Sequence, residues 1–265
     1  MELTPLTVSC AESEGIIEIN SEITQGLAIA IEAGLEMLFG YYKYANVKMK
    51  INSPGGAILG LVHILQSMQV WRNAGRTIST ETAFTAASAG AILLAYGTGR
   101  TVQRHSSILF HLSRVESSTN LTSSHAAHIA NALQERDDVI VSQLVHHLLI
   151  ENCGVINLAE EGIARCNWLV EHSTEVSLAL GVTHSKRSEK GPAILAKAYQ
   201  NCLSKKSTKP YEKYLEARMK LDTEMSIAEA YALNLIDAVA HVPLFKLCAR
   251  KIAPMQANVG LKLAA

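Results

Sequence analysis

Between Ala45 and Gly75 the hydrophobic period changes from two to nearly four across one short turn, Asn52-Ser53-Pro54-Gly55-Gly56. Val47, Met49 and Ile51 alternate as a half-buried strand does, and residues 57–75 follow with an apolar-faced helix that Gly75 closes. Pro54 fixes one backbone angle while Gly55 and Gly56 admit angles closed to other residues, so the chain reverses there and its N–H groups can face a cleft. The same alternation recurs on both sides. Residues 15–20 (GIIEIN) read as a short strand, and residues 21–42 as a helix with Ile23, Leu27, Ile31, Leu35 and Leu38 on one face. Past Gly75 come the strand 77–83, a helix containing Ser88, the segment 99–104 and the strand 106–111 (SSILFH). Repeated strand and helix predict an α/β protein with a largely parallel core.

Residues 122–150 predict a long helix whose charged middle, Gln134 to Asp138, leaves the body for part of its length. Residues 151–209 carry further helical pieces around a polar stretch, 183–191, and read as a helical insertion within a single domain spanning 1–265. The chain then returns, over 211–242, to a helix, a short loop, and a second helix capped by Ser226 with Glu229 three residues on. Residues 261–265 look like a vector-derived tail.

Several function classes fall away on composition. Lys+Arg and Asp+Glu number 24 each, so bulk charge points to neither nucleic acid nor an acidic membrane. The N-terminus lacks the basic and apolar regions of a signal peptide and no apolar run reaches about 18 residues, which predicts a cytoplasmic protein without a membrane partner. The five cysteines have no CxxC spacing and read as reduced thiols. Cys153, Cys166, His172 and His184 match no usual zinc spacing, so no metal is expected.

The run 82–97 (TAFTAASAGAILLAYG) supplies a candidate nucleophile. Ala86, Ala87, Ala89 and Gly90 would let a substrate backbone approach Ser88 at a helix N-terminus, where free N–H groups favour negative charge. Taken alone, this stretch favours Ser88 as the helix N-cap. His111 ends an apolar strand, a position where α/β enzymes assemble sites, and taken alone it reads equally as a structural histidine.

In order and spacing, the turn 51–56 (INSPGG), the run 82–100 and the strand 106–111 resemble the proteolytic subunit of the Clp protease. The likeness resumes at about 211–242, where residues 226–239 look like the family's closing segment. It implies a spiral of ββα units shared with the crotonase superfamily, a protruding handle helix, and a serine endopeptidase working inside an oligomeric ring. Ser88 then falls on the nucleophile, His111 on the general base, and Asp222, four residues before Ser226, on the acid. Asp137, Asp138, Glu160, Glu161 and Glu224 are the other acids after His111. The N–H groups of Gly56 and Ala89 fall on the oxyanion hole. The resemblance implies peptide or protein substrates and no cofactor, ATP entering only through a separate AAA+ unfoldase. The short N-terminus lacks most of the segment that serves that unfoldase, and the 151–209 insertion bears on how rings stack. Asn234 replaces a usual glycine. Two other readings stand beside this one: an acyl-CoA hydratase or isomerase of the crotonase type, and a catalytically silent ring subunit.

Overall fold

The computed structural model describes residues 4–11, 13–111, 123–182 and 186–242. The 261–265 tail, Cys248 and His184 lie outside the described residues.

Six strands form the main sheet in the order β1-β2-β3-β4-β6-β8, with β1 (Leu6–Cys10), β2 (Gly15–Ile19), β3 (Asn46–Ile51), β4 (Thr77–Thr82), β6 (Arg100–Val102) and β8 (Ala238–Val239). Only the β1–β2 pair is antiparallel. The alternation in β2 and β3 sorts their side chains as expected: Ile17, Ile19, Val47, Met49 and Ile51 are buried. On the opposite face Lys48 meets Glu14 at 2.6 Å and Lys50 meets Glu18 at 2.8 Å. The buried face is covered by α1 (Gln25–Leu35) through Leu27, Ile31 and Leu35, and by α2 (Ile58–Asn73) through Leu61, Ile64 and Met68.

A second, two-stranded sheet stands beside the first. Its members are β5 (Thr85–Ala87) and β7 (Ser107–Leu109), which run parallel with Ala87 opposite Leu109. Between β5 and β6 lies α3 (Ala89–Ala95), every residue of which is buried. Such a helix needs small and apolar residues on all sides, which explains its composition. The arrangement is the mixed α/β, mostly parallel architecture expected.

Three local expectations are corrected. Ile23 precedes the first helix: it bridges to Gly56, and Thr24 is the N-cap, its hydroxyl accepting from Leu27 N at 3.1 Å. Beyond Leu35 the helix widens into a π-turn, Glu36–Tyr41, which a continued apolar spacing conceals. The histidine strand ends at Leu109, two residues before His111.

The long helix α4 (Ser123–Glu151) is exposed or half-buried from Ala127 to Arg136 and buries one face from Asp137 onward. Next come α5 (Val155–Glu171), α6 (Ser173–Leu180) and α7 (Lys186–Lys205), then α8 (Lys209–Met219) and α9 (Ile227–Ala232). Ser226 caps α9 as expected, accepting from Glu229 N at 3.1 Å. Among the described residues no single helix is long and apolar enough to cross a membrane.

Arg165 ties α5 to the sheet. Its guanidinium is fully buried, bonds Glu161 and the carbonyls of Tyr231 and Ile236, and reaches Asp237 Oδ1 at 3.3 Å. Asp237 also receives the Nε, Nη2 and backbone N–H of Arg100, likewise fully buried. One carboxylate thereby joins β6, α5 and the segment leading into β8.

Candidate active site

Three pieces of chain converge at the end of β7. The first is the turn after β3. Ser53 is fully buried; its N–H bonds Thr85 O at 2.9 Å and its carbonyl receives Ala87 N at 3.0 Å, which zips the turn to β5. Its hydroxyl accepts from Gly55 N at 3.1 Å. Gly55 (φ +107°) and Gly56 (φ +141°) both use angles that favour glycine. A Cβ on Gly55 would lie 2.5 Å from Ser88 Cβ, so the turn and the serine are in direct contact.

The second piece is Ser88 itself. It occupies the N-cap position of α3, but at φ +52° and ψ −124°, and its hydroxyl makes no capping hydrogen bond. The N-cap reading of the sequence is thus right in place and wrong in chemistry. A left-handed φ on a serine costs about 1–3 kcal/mol and persists only where the surroundings impose it. Here they do: Ser88 N donates to Leu109 O at 2.7 Å, extending the β5–β7 ladder by one bond, and Gly90 packs on Ser53. The side chain is half-buried, with its hydroxyl next to Gly55. Neither Gly56 N nor Ala89 N donates to an acceptor among the described residues, so both remain available to an incoming oxygen.

The third piece flanks β7 on its other side. Met225 N donates to Ile108 O at 2.8 Å, and Ser107 donates its hydroxyl to Glu224. Arg218 clamps this loop from α8: Nη1 bonds Thr223 O and Thr223 Oγ1, Nη2 bonds Glu224 O, and Nε and Nη2 together hold Glu229. Asp222, exposed and at φ +51°, sits at the start of the clamped stretch. Half-buried His111 lies two residues past the end of β7. Ser88, His111 and Asp222 are therefore carried by segments that all bear on one three-residue strand.

The other acids are placed differently. Glu161 is held by Arg165, Glu224 by Ser107, and Asp138 accepts from Gln134; Asp137 is buried in α4. Among the described residues no three His, Cys, Asp or Glu groups are gathered to hold an ion, and His184 of the cysteine-histidine quartet lies outside them. Cys166 is buried, and burial pushes its thiol up to about 12. The sequence singles out Gly55 and Gly56 for the turn, and the resemblance implies the donor role for Gly56; the contact of Gly55 with Ser88, the buried Ser53 and the Arg218 clamp appear only in the fold. A buried serine directly before Pro-Gly-Gly was the available signal for Ser53, whereas Arg218 had none.

Gly55→Ala is expected to destabilise the protein by about 2–4 kcal/mol, because the new Cβ meets Ser88 Cβ and Ala87 O at a disallowed φ. Urea denaturation checks this, and a change within about 0.5 kcal/mol would show that the turn does not press on Ser88.

A family model described as Clp protease matches residues 6–152, more than half of the chain. Over 101 residues the chain is 38% identical to an ATP-dependent Clp protease proteolytic subunit 4 from Rhodococcus jostii (strain RHA1). That stretch is 37% of this chain and 50% of the relative, so the likeness spans about half the relative's length. The family match holds the turn, Ser88 and His111, and ends before Asp222 and its clamp.

Proposed function

The chain belongs to the Clp protease family, and we propose that it is a serine endopeptidase of that family, with Ser88, His111 and Asp222 as its triad. The observation that carries this reading is the backbone of Ser88. A hydroxyl that caps nothing is held at a strained angle, against a glycine turn, one residue past a strand pairing that leads to a histidine.

In the proposed reaction Ser88 Oγ attacks the peptide carbonyl while His111 takes its proton, and Asp222 orients and stabilises the imidazolium. The oxyanion receives the N–H groups of Gly56 and Ala89, which have no competing acceptor among the described residues. His111 then gives its proton to the leaving amine, and water, activated by the same imidazole, releases the acyl group from Ser88. Every proton moves between side chains, substrate and water, so the steps call on no cofactor. A crotonase-type hydratase would have no use for the strained Ser88, and a silent subunit would have no reason to retain it.

The protein is treated with a fluorophosphonate and the modified residue mapped. Labelling at Ser88 that weakens strongly in His111→Ala is the expected result; absence of labelling at every protein concentration would sink the reading. We also place the site inside a chamber built from copies of this chain, acting on peptide or protein substrates, with an AAA+ unfoldase as an optional partner. Mass photometry should return a multiple of the chain's mass, and monomer alone would remove the chamber.

A further inference from the structure

A cavity of about 530 Å³, whose lining does not include Ser88, lies between the β6–β7 connection, helices α5 and α6, and the start of α9. Its volume falls within the range of small-ligand pockets. Leu169, Val176, Leu180, Met225 and Ile227 line it with apolar surface. Two of its wall serines are already engaged: Ser106 donates to Thr82 O, and Ser226 caps α9. Glu224, also on the wall, takes the Ser107 hydroxyl. Arg104 differs from these. Its Nε and Nη2 reach only the neighbouring His105 ring, at 3.3 and 3.2 Å, and among the described residues it has no carboxylate partner. A half-open, mostly apolar cavity whose wall carries an exposed guanidinium, with no carboxylate partner among the described residues, matches a ligand with an apolar body and one anionic head.

The cavity shares residues with the loop that carries Asp222. Met225 is nearly fully buried, faces the cavity, and donates its N–H to Ile108 O in β7. The adjoining residue of that strand, Leu109, accepts Ser88 N. We propose that this cavity binds a single-chain amphipathic carboxylate, with Arg104 taking the head group, and that occupancy tightens the 222–226 loop on β7. Binding and tightening stand without the peptidase reading; that the ligand thereby tunes catalysis rests on it.

The test uses the full chain, with sodium decanoate displacing the fluorescent probe anilinonaphthalenesulfonate, and decanamide as the neutral control. Decanoate should displace the probe and decanamide should not. Arg104→Gln should weaken decanoate about tenfold, as expected for loss of one charge-assisted contact. Val176→Trp, which fills the cavity, should abolish displacement. Arg104→Gln changes an exposed side chain and keeps the test decisive should Val176→Trp fail to fold. Hydrogen exchange of the segment 222–226 should slow at saturating decanoate. Equal displacement in wild type and Arg104→Gln would overturn the assignment, as would equal binding of decanamide, and binding without any change in exchange would overturn the coupling. None of these readouts depends on turnover, so a failure of Ser88 to label counts against the peptidase alone.

Discussion

Replacing Ser88 by alanine is expected to lower peptide hydrolysis by at least about 10⁴-fold while the protein stays folded. In the proposed mechanism the loss follows from removing the atom that forms the acyl bond, and the Gly56 and Ala89 N–H groups proposed for the oxyanion would leave a residual rate above water. Alanine keeps the Cβ in contact with Gly55 and keeps the unfavourable φ, so stability should change little. Ser88→Gly makes the converse case. It is equally inactive, but it releases the strain of a side chain at φ +52° and should be more stable than Ser88→Ala by about 1 kcal/mol. Turnover of a fluorogenic peptide and urea denaturation of the three proteins measure both effects. Activity retained in Ser88→Ala would reassign the nucleophile, and a glycine variant no more stable than the alanine variant would show that the backbone angle is not a source of strain.

The two substitutions also separate what local sequence expresses from what it does not. Val47, Met49 and Ile51 announced β3 because one face of that strand is buried and the other is not, and the Pro-Gly-Gly turn announced its end. The position of Ser88 at a helix start was equally legible, since small residues before an apolar block leave few alternatives. Its left-handed φ was not legible, because nothing in serine itself favours that angle; Leu109, Ser53 and Gly55 impose it from elsewhere in the chain. Strand β1 went unread for a related reason. Leu6 and Val8 are only half-buried against the sheet edge, so the contrast between their two faces is weak. The π-turn after Leu35 was hidden because Leu38 and Phe39 keep an apolar spacing across it. Helix α6 was missed because it is eight residues long with two buried positions, too little surface for a period to declare itself.

Arg165 was the least legible residue of all, and it leads to the second large effect. On the sequence it looks like one more charge on an amphipathic helix; in the fold its guanidinium is fully buried and its partner Asp237 lies 72 residues later. Asp237→Ala is expected to cost about 3–5 kcal/mol, because it strips the carboxylate from beside two buried guanidinium groups. Arg100 would keep the carbonyls of Asn234 at 2.6 Å and Ala95 at 3.3 Å, yet lose the acid that its Nε, Nη2 and backbone N–H share. Arg165 would still have Glu161, so the cost should fall mainly on β6 and on the packing of β8 against it. Glu161→Gln supplies the comparison: Arg165 retains Asp237 and two carbonyls, and the loss should be nearer about 1 kcal/mol. Since a domain of this kind has about 5–15 kcal/mol in total, the alanine variant should unfold at visibly lower urea while the glutamine variant shifts slightly. Equal losses in the two would mean that the Arg100 pairing contributes nothing of its own. A large loss confined to Asp237→Ala would show that the Arg100–Asp237 pairing, made between residues 137 apart in the chain, is what holds the segment entering β8 against β6.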